Sequence, residues 1–157
     1  MPPRRQWVLL AYRLPREPST PRIAVWRRLR QLGAAQLGDG LAALPHDPRT
    51  REHFEWLGQF VEEADGEATV WISEPASARQ HRELADRMNE AVGADYRKVI
   101  EAANAARSGN ERRRRQTMLR LRRTLERVKA RDFFRSSDRR EAESAVAELN
   151  ELVEAER

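Results

Sequence analysis

The chain contains no cysteine among its 157 residues. Disulfides, thiolate nucleophiles and thiolate metal sites are therefore excluded, and a reducing compartment is the natural setting. Long apolar runs are also missing. The stretch Trp7–Tyr12, WVLLAY, is six residues long, shorter than a secretory core and far below the roughly 18 that span a bilayer. The expectation is a cytoplasmic protein with no membrane partner. Histidine is sparse: His46, His53 and His81 are too scattered to read as a metal site. No glycine-rich phosphate loop, nucleophile elbow or paired-acid signature is present. Asp39 and Asp47 read as turn and cap residues. The expectation is a non-enzyme with no cofactor and no metal.

What is present is charge, 35% of the chain, with only 39% hydrophobic residues. That supports one modest core and a helical extension rather than two large globular units. The apolar run at Trp7 is rich in strand formers and predicts a buried strand ended by Pro15 and Pro18. Ser19 or Thr20 then caps a helix with Pro21 in its first turn, carrying Ile23, Trp26, Leu29 and Leu32 on one stripe and closed by Gly33. Residues Ala35 to Leu44, around Gly38-Asp39-Gly40, predict a hairpin. Asp47 caps a second helix from Pro48 to Ala64, with Phe54, Leu57 and Val61 on one face, widened by Trp56 and Phe60. The alternation from Glu67 to Ser73 predicts a last strand. The order is βαββαβ, the ferredoxin-like plan of a four-stranded sheet with two helices on one face. Trp7, Trp26, Trp56 and Trp71 come one from each principal strand or helix and are expected in a shared core.

From Ala76 onward strand formers almost vanish. A helix is expected from Ser77 to Ala106, with His81, Leu84, Met88, Val92, Val99, Ile100 and Ala103 on a stripe that slips near Gly93. Ser108-Gly109-Asn110 breaks it. A basic helix (110–134) follows, with Met118, Leu121, Leu125 and Val128 on one side. An acidic helix (138–157) comes last, with Ala142, Ala145, Val146, Leu149 and Val153 at 3-4 spacing. These two should form an antiparallel helical hairpin. The fold class is α+β: a ferredoxin-like domain over residues 1–75 and a helical extension over 76–157.

The net charge of +5 is unevenly placed. Residues 110–135 hold eleven basic and three acidic side chains, and residues 136–157 hold three and seven. Arginine grips phosphate bidentately and never loses its charge. Arg112, Arg113, Arg114, Arg115, Arg120, Arg123, Arg127 and Arg131 are therefore the candidate nucleic-acid contacts, with double-stranded DNA as the partner. The alternative is a non-enzymatic structural or protein-interaction module, in which Glu141, Glu143, Glu148, Glu151 and Glu154 of the last helix pair with these arginines. Seven acids cannot cancel eleven bases. Leu119, stranded among the arginines, points to a protein contact as well. Arg13, Arg16 and Arg22, around the start of the first helix, form a candidate anion site.

The strings WVLLAYRLPREPSTPRIAVWRRLRQLGAAQLGDGLAALP, TREHFEWL and GEATVW, and the later ARDFF, closely resemble the amino-terminal domain of ChrB, the chromate-resistance regulatory protein, over nearly the whole chain. The first half is more distantly similar to the central domain of PaaX-type repressors. The resemblance implies a cytoplasmic transcriptional regulator of a chromate-efflux operon that binds promoter DNA, with chromate as candidate effector and a homodimer as the expected assembly. Full-length ChrB proteins carry a further carboxy-terminal domain, absent before Arg157, and PaaX repressors carry an amino-terminal winged helix, absent before Trp7. Small CRISPR-associated nucleases share the βαββαβ plan, but they need a carboxylate where this chain has Tyr12-Arg13-Leu14 after its first strand.

Overall fold

A computed structural model describes residues 5–157. The elements run β1 (Trp7–Arg13), α1 (Thr20–Leu32), β2 (Ala35–Gly38), β3 (Leu41–Pro45), α2 (Pro48–Glu63), β4 (Glu67–Ser73), α3 (Ala78–Ala106), α4 (Glu111–Ala130) and α5 (Arg139–Ala155). The chain forms two compact units, one up to Met88 and one from Asn89 to Arg157.

In the first unit the sheet order is β2-β3-β1-β4 and every neighbouring pair is antiparallel. This is the ferredoxin-like arrangement expected from the element order. β1 lies between β3 and β4, with Val8 and Leu10 fully buried on one face and Leu9 and Ala11 half-buried on the other. Val8 and Leu10 stand opposite Leu44 and Ala42 on β3 and Ile72 and Val70 on β4. Gly58 of α2 brings its helix within van der Waals reach of Leu10, Ala68 and Val70. Helix α2 starts where its chemistry says it should. The Asp47 carboxylate accepts from the Thr50 amide at 2.8 Å, and the Thr50 hydroxyl accepts from the Asp47 amide at 2.9 Å, so two orphan donors are satisfied reciprocally. The β2-β3 hairpin turns at Asp39-Gly40. Gly40 has φ +73°, and a side chain there would collide with the Tyr12 carbonyl, so only glycine fits.

Three expectations for this unit need correction. Ser19 occupies the cap of α1 in a helical conformation and its side chain makes no cap hydrogen bond; with Pro21 in the first turn, one orphan donor is already missing. The buried residues of α1 are Val25 and Leu29, while Ile23 and Trp26 face solvent. The buried face is turned away from the expected stripe, with Leu29 common to both. The tryptophans do not share a core. Trp7 is buried, but Trp26, Trp56 and Trp71 are 55%, 59% and 58% exposed. Trp26 lies beneath the Arg30 guanidinium, Trp56 is stacked nearly parallel to Phe60, and Trp71 donates to the Thr69 hydroxyl at 2.8 Å. Each indole thus keeps a cation, a ring or a hydroxyl beside it without entering the interior.

In the second unit the end of α3 joins α4 and α5 in a three-helix core. Met118, Leu121, Leu125 and Val128 of α4 and Ala142, Ala145, Val146, Leu149 and Val153 of α5 are all buried, against Val92, Tyr96, Val99, Ala103 and Ala106 of α3. The α3 stripe does not slip at Gly93. It runs unbroken through Tyr96, whose hydroxyl donates to Asp132 at 2.7 Å. Burial and this carboxylate push the Tyr96 pKa well above its ordinary value, so the bond persists at any physiological pH. Gly93 lies close under the start of α5, and a Cβ there would make the Asp138 carboxylate shift.

Trp7 donates its indole N–H to Nδ1 of His81 on α3 at 3.0 Å, with the rings edge to face at 5.6 Å. Accepting through Nδ1 requires the neutral ring. Burial, Arg5 and Arg82 hold His81 below its model-peptide value of 6.5. The unfolded chain therefore takes up the proton more readily, and the stabilisation is present above about pH 6.5 and lost as pH falls below it. Thermal stability should drop from pH 7 to pH 5.5, and His81→Gln, which keeps an acceptor but does not titrate, should flatten part of that slope. An unchanged slope in the variant would remove His81 as the cause.

Candidate nucleic-acid interface

Helix α4 is placed by its apolar stripe, so its arginines are sorted by angle rather than by sequence position. Asn110 caps it, accepting from the Arg113 amide at 2.8 Å, and Glu111 in the first turn complements the helix dipole. At 100° per residue, Arg112, Arg120, Arg123 and Arg127 fall opposite the buried stripe, with Gln116 and Leu119 among them. These arginines and Leu119 are exposed. From Arg112 to Arg127 the row spans about 22 Å along the helix.

The eight candidate arginines do not form one set. Arg114 turns inward and pairs with Glu156 at the end of α5, also donating to the backbone carbonyls of Gly109 and Arg107. The side chains of this pair are only 19% and 20% exposed. Arg131 reaches Asp95 on α3 at 3.0 Å, again largely shielded. Both serve packing. Arg115 sits 3.9 Å from Glu111 in a loose pair within its own helix. Among the described residues, Arg112, Arg113, Arg120, Arg123 and Arg127 have no acid within ion-pair distance, nor does the neighbouring Arg122.

Of the α5 acids, Glu143, Glu148 and Glu154 are engaged elsewhere, and among the described residues Glu141 and Glu151 have no ion-pair partner. Glu143 accepts from Arg139 at 2.8 Å and lies 3.6 Å from Lys129; the Arg139 hydrogen bond first, then Lys129, holds its carboxyl below the usual range. Glu148 pairs with Arg107 and Glu154 with Arg157. The antiparallel packing brings only the flanks of α4 and α5 together, at Arg114 with Glu156 and at Lys129 with Glu143. The outward row is out of reach.

The second candidate set, Arg13, Arg16 and Arg22, lies at the end of β1, in the following loop and in the first turn of α1. All three are exposed, and among the described residues none has an ion-pair partner. Sequence reasoning missed another grouping. Arg28 of α1 and Arg49, Glu52, His53 and Trp56 of α2 line a cleft of about 580 Å³. Its signal was the spacing of Arg49, His53 and Trp56, which puts them on one flank of a helix. Among the described residues no group of three or more His, Asp or Glu could hold a metal ion, and no helix is long and apolar enough to cross a membrane.

The family described as Protein ChrB, N-terminal, matches residues 22–109, more than half of the chain. The chain belongs to the ChrB N-terminal family. Protein ChrB of Cupriavidus metallidurans is 33% identical over 91 residues, covering 56% of this chain and 28% of that protein. The chain thus matches less than a third of the length of its ChrB relative. No solved structure matches significantly. The family match runs from α1 to the end of α3, narrower than the resemblance visible in the sequence, and it stops before α4. The arginine row therefore stands on its own chemistry.

Because Arg114 is shielded and multiply bonded, Arg114→Ala should lower stability by about 1–3 kcal/mol, whereas Arg123→Ala should stay within about 0.5 kcal/mol. Chemical denaturation of the two variants checks the sorting. Equal losses would show that Arg114 has no structural role.

Proposed function

We propose that this chain is a non-catalytic, ChrB-type transcriptional regulator of a chromate-resistance operon that engages double-stranded promoter DNA through the outward face of α4. Family membership supports the regulatory reading. One observation carries the DNA contact: Arg112, Arg120, Arg123 and Arg127 project from one rigid helix face with no acid near enough to neutralise them. Such a row suits phosphates spaced along a duplex, and each phosphate neutralised releases counterions. Arginine serves both kinds of contact, bidentate on a phosphate and bidentate on the guanine edge, so the row can position the helix and read sequence from the same face.

The second reading, a structural module with an internally paired basic helix, is favoured only at Arg114 and Arg131, where acids do meet the guanidinium groups. On the regulator reading the protein acts in the cytoplasm, as a homodimer whose copies place two α4 helices on one duplex. Chromate is its proposed effector.

Retardation of a 30-base-pair promoter duplex should weaken steeply between about 50 and 200 mM salt. Arg120→Ala/Arg123→Ala/Arg127→Ala should abolish most of it and reduce the log-log salt slope by about 2.7, from roughly 0.9 per phosphate contact. Added chromate, but not sulfate, should release the duplex. No retardation by the intact chain at 50 mM salt would sink the DNA contact and favour the structural module.

A further inference from the structure

We propose that the cleft between α1 and α2 binds a single nucleotide unit, its phosphate held by Arg28 and Arg49 and its base laid against Trp56. This site lies in the first compact unit and does not depend on the α4 reading. The cleft is about 580 Å³, within the range of small-ligand sites. Arg49 has no acid within ion-pair distance among the described residues, and Arg28 donates only to the neutral Gln31 amide, at 3.3 Å. Two guanidinium groups therefore line one space with no ion-pair partner among the described residues, and guanidinium is the best-shaped donor for a phosphate.

Trp56 supplies the second half of the recognition. Its indole is braced by Phe60, with ring centroids 6.5 Å apart and planes 19° from parallel, yet more than half of the residue is exposed. A large aromatic surface left open on a helix and fixed by a neighbouring ring is a stacking platform, and every base offers it a face. Glu52 also lines the cleft. It can accept from a base amino group or a sugar hydroxyl, and it opposes a second phosphate, which limits the ligand to one phosphate per site. Burial, Arg28 and Arg49 hold His53 below its ordinary pKa, partly opposed by Glu52 and Asp47. The ring is neutral at pH 7 and adds a hydrogen bond without adding charge.

Free mononucleotide and one residue of a single strand share this chemistry. The test uses the full chain carrying Arg120→Ala/Arg123→Ala/Arg127→Ala, so that binding at α4 does not contribute. Tryptophan emission is titrated with dAMP, with a ten-residue oligo-dA and with inorganic phosphate, each repeated in Trp56→Phe and Arg49→Gln. Both altered side chains are exposed, so the fold should survive, and far-ultraviolet dichroism confirms it. The expected result is saturable quenching that disappears in Trp56→Phe and weakens about tenfold in Arg49→Gln. Tighter binding of the oligonucleotide assigns the site to a strand, and tighter binding of dAMP assigns it to a free nucleotide. Either outcome supports the site. Absence of Trp56-dependent quenching by both ligands, or inorganic phosphate displacing dAMP at equal concentration, would overturn it.

Discussion

The burial of one apolar stripe on α4 governs the electrostatics of the carboxy-terminal unit. Met118, Leu121, Leu125 and Val128 are all but removed from water, and each buried side chain of this kind contributes roughly 1.5–3 kcal/mol. No arrangement of surface ion pairs competes with that, since exposed pairs contribute about 0–1 kcal/mol each. The helix is therefore rotated by its apolar residues, and the arginines take whatever positions remain. Those near the seam, Arg114 and Arg131, find acids on the neighbouring helices. Those opposite it find only solvent.

This ordering of forces explains why the acidic helix does not silence its basic neighbour. Two helices packed through apolar stripes hold their outward faces apart, so opposite charges meet only along the flanks. The antiparallel direction then decides which flank residues meet: the start of α4 with the end of α5, and the end of α4 with the start of α5. The result is a rigid cationic face with about 22 Å of reach along the helix, built without any loop that must order on binding.

The first unit uses its surface differently. A central strand apolar on both faces fills the interior with Trp7, Val8 and Leu10, together with Phe54, Leu57 and Val61 from α2. With the core already occupied, three other tryptophans stay outside, each beside a cation, a ring or a hydroxyl. Trp56, exposed beside Arg28 and Arg49 in the cleft, is what the proposed nucleotide site in this unit rests on.

Strong local rules made much of the fold legible. The Asp47 cap, the Asp39-Gly40 turn, the alternation from Glu67 to Ser73 and the 3-4 spacing of α4 and α5 each involve residues a few positions apart, and each appears where the sequence places it. The α1 stripe failed in part because Leu29 and Leu32 satisfy helical spacing equally with Ile23 and Trp26 on one side and with Val25 on the other, and only tertiary contact chooses between them. The tryptophans misled for a related reason: bulk favours burial, but the room available is set by how strands and helices meet. For the candidate interface, sequence alone determined that α4 carries more positive charge than its neighbours can cancel, because charge counts need no coordinates. Which arginines remain free was decided only by tertiary structure, because pairing depends on distance and facing across helices far apart in the chain.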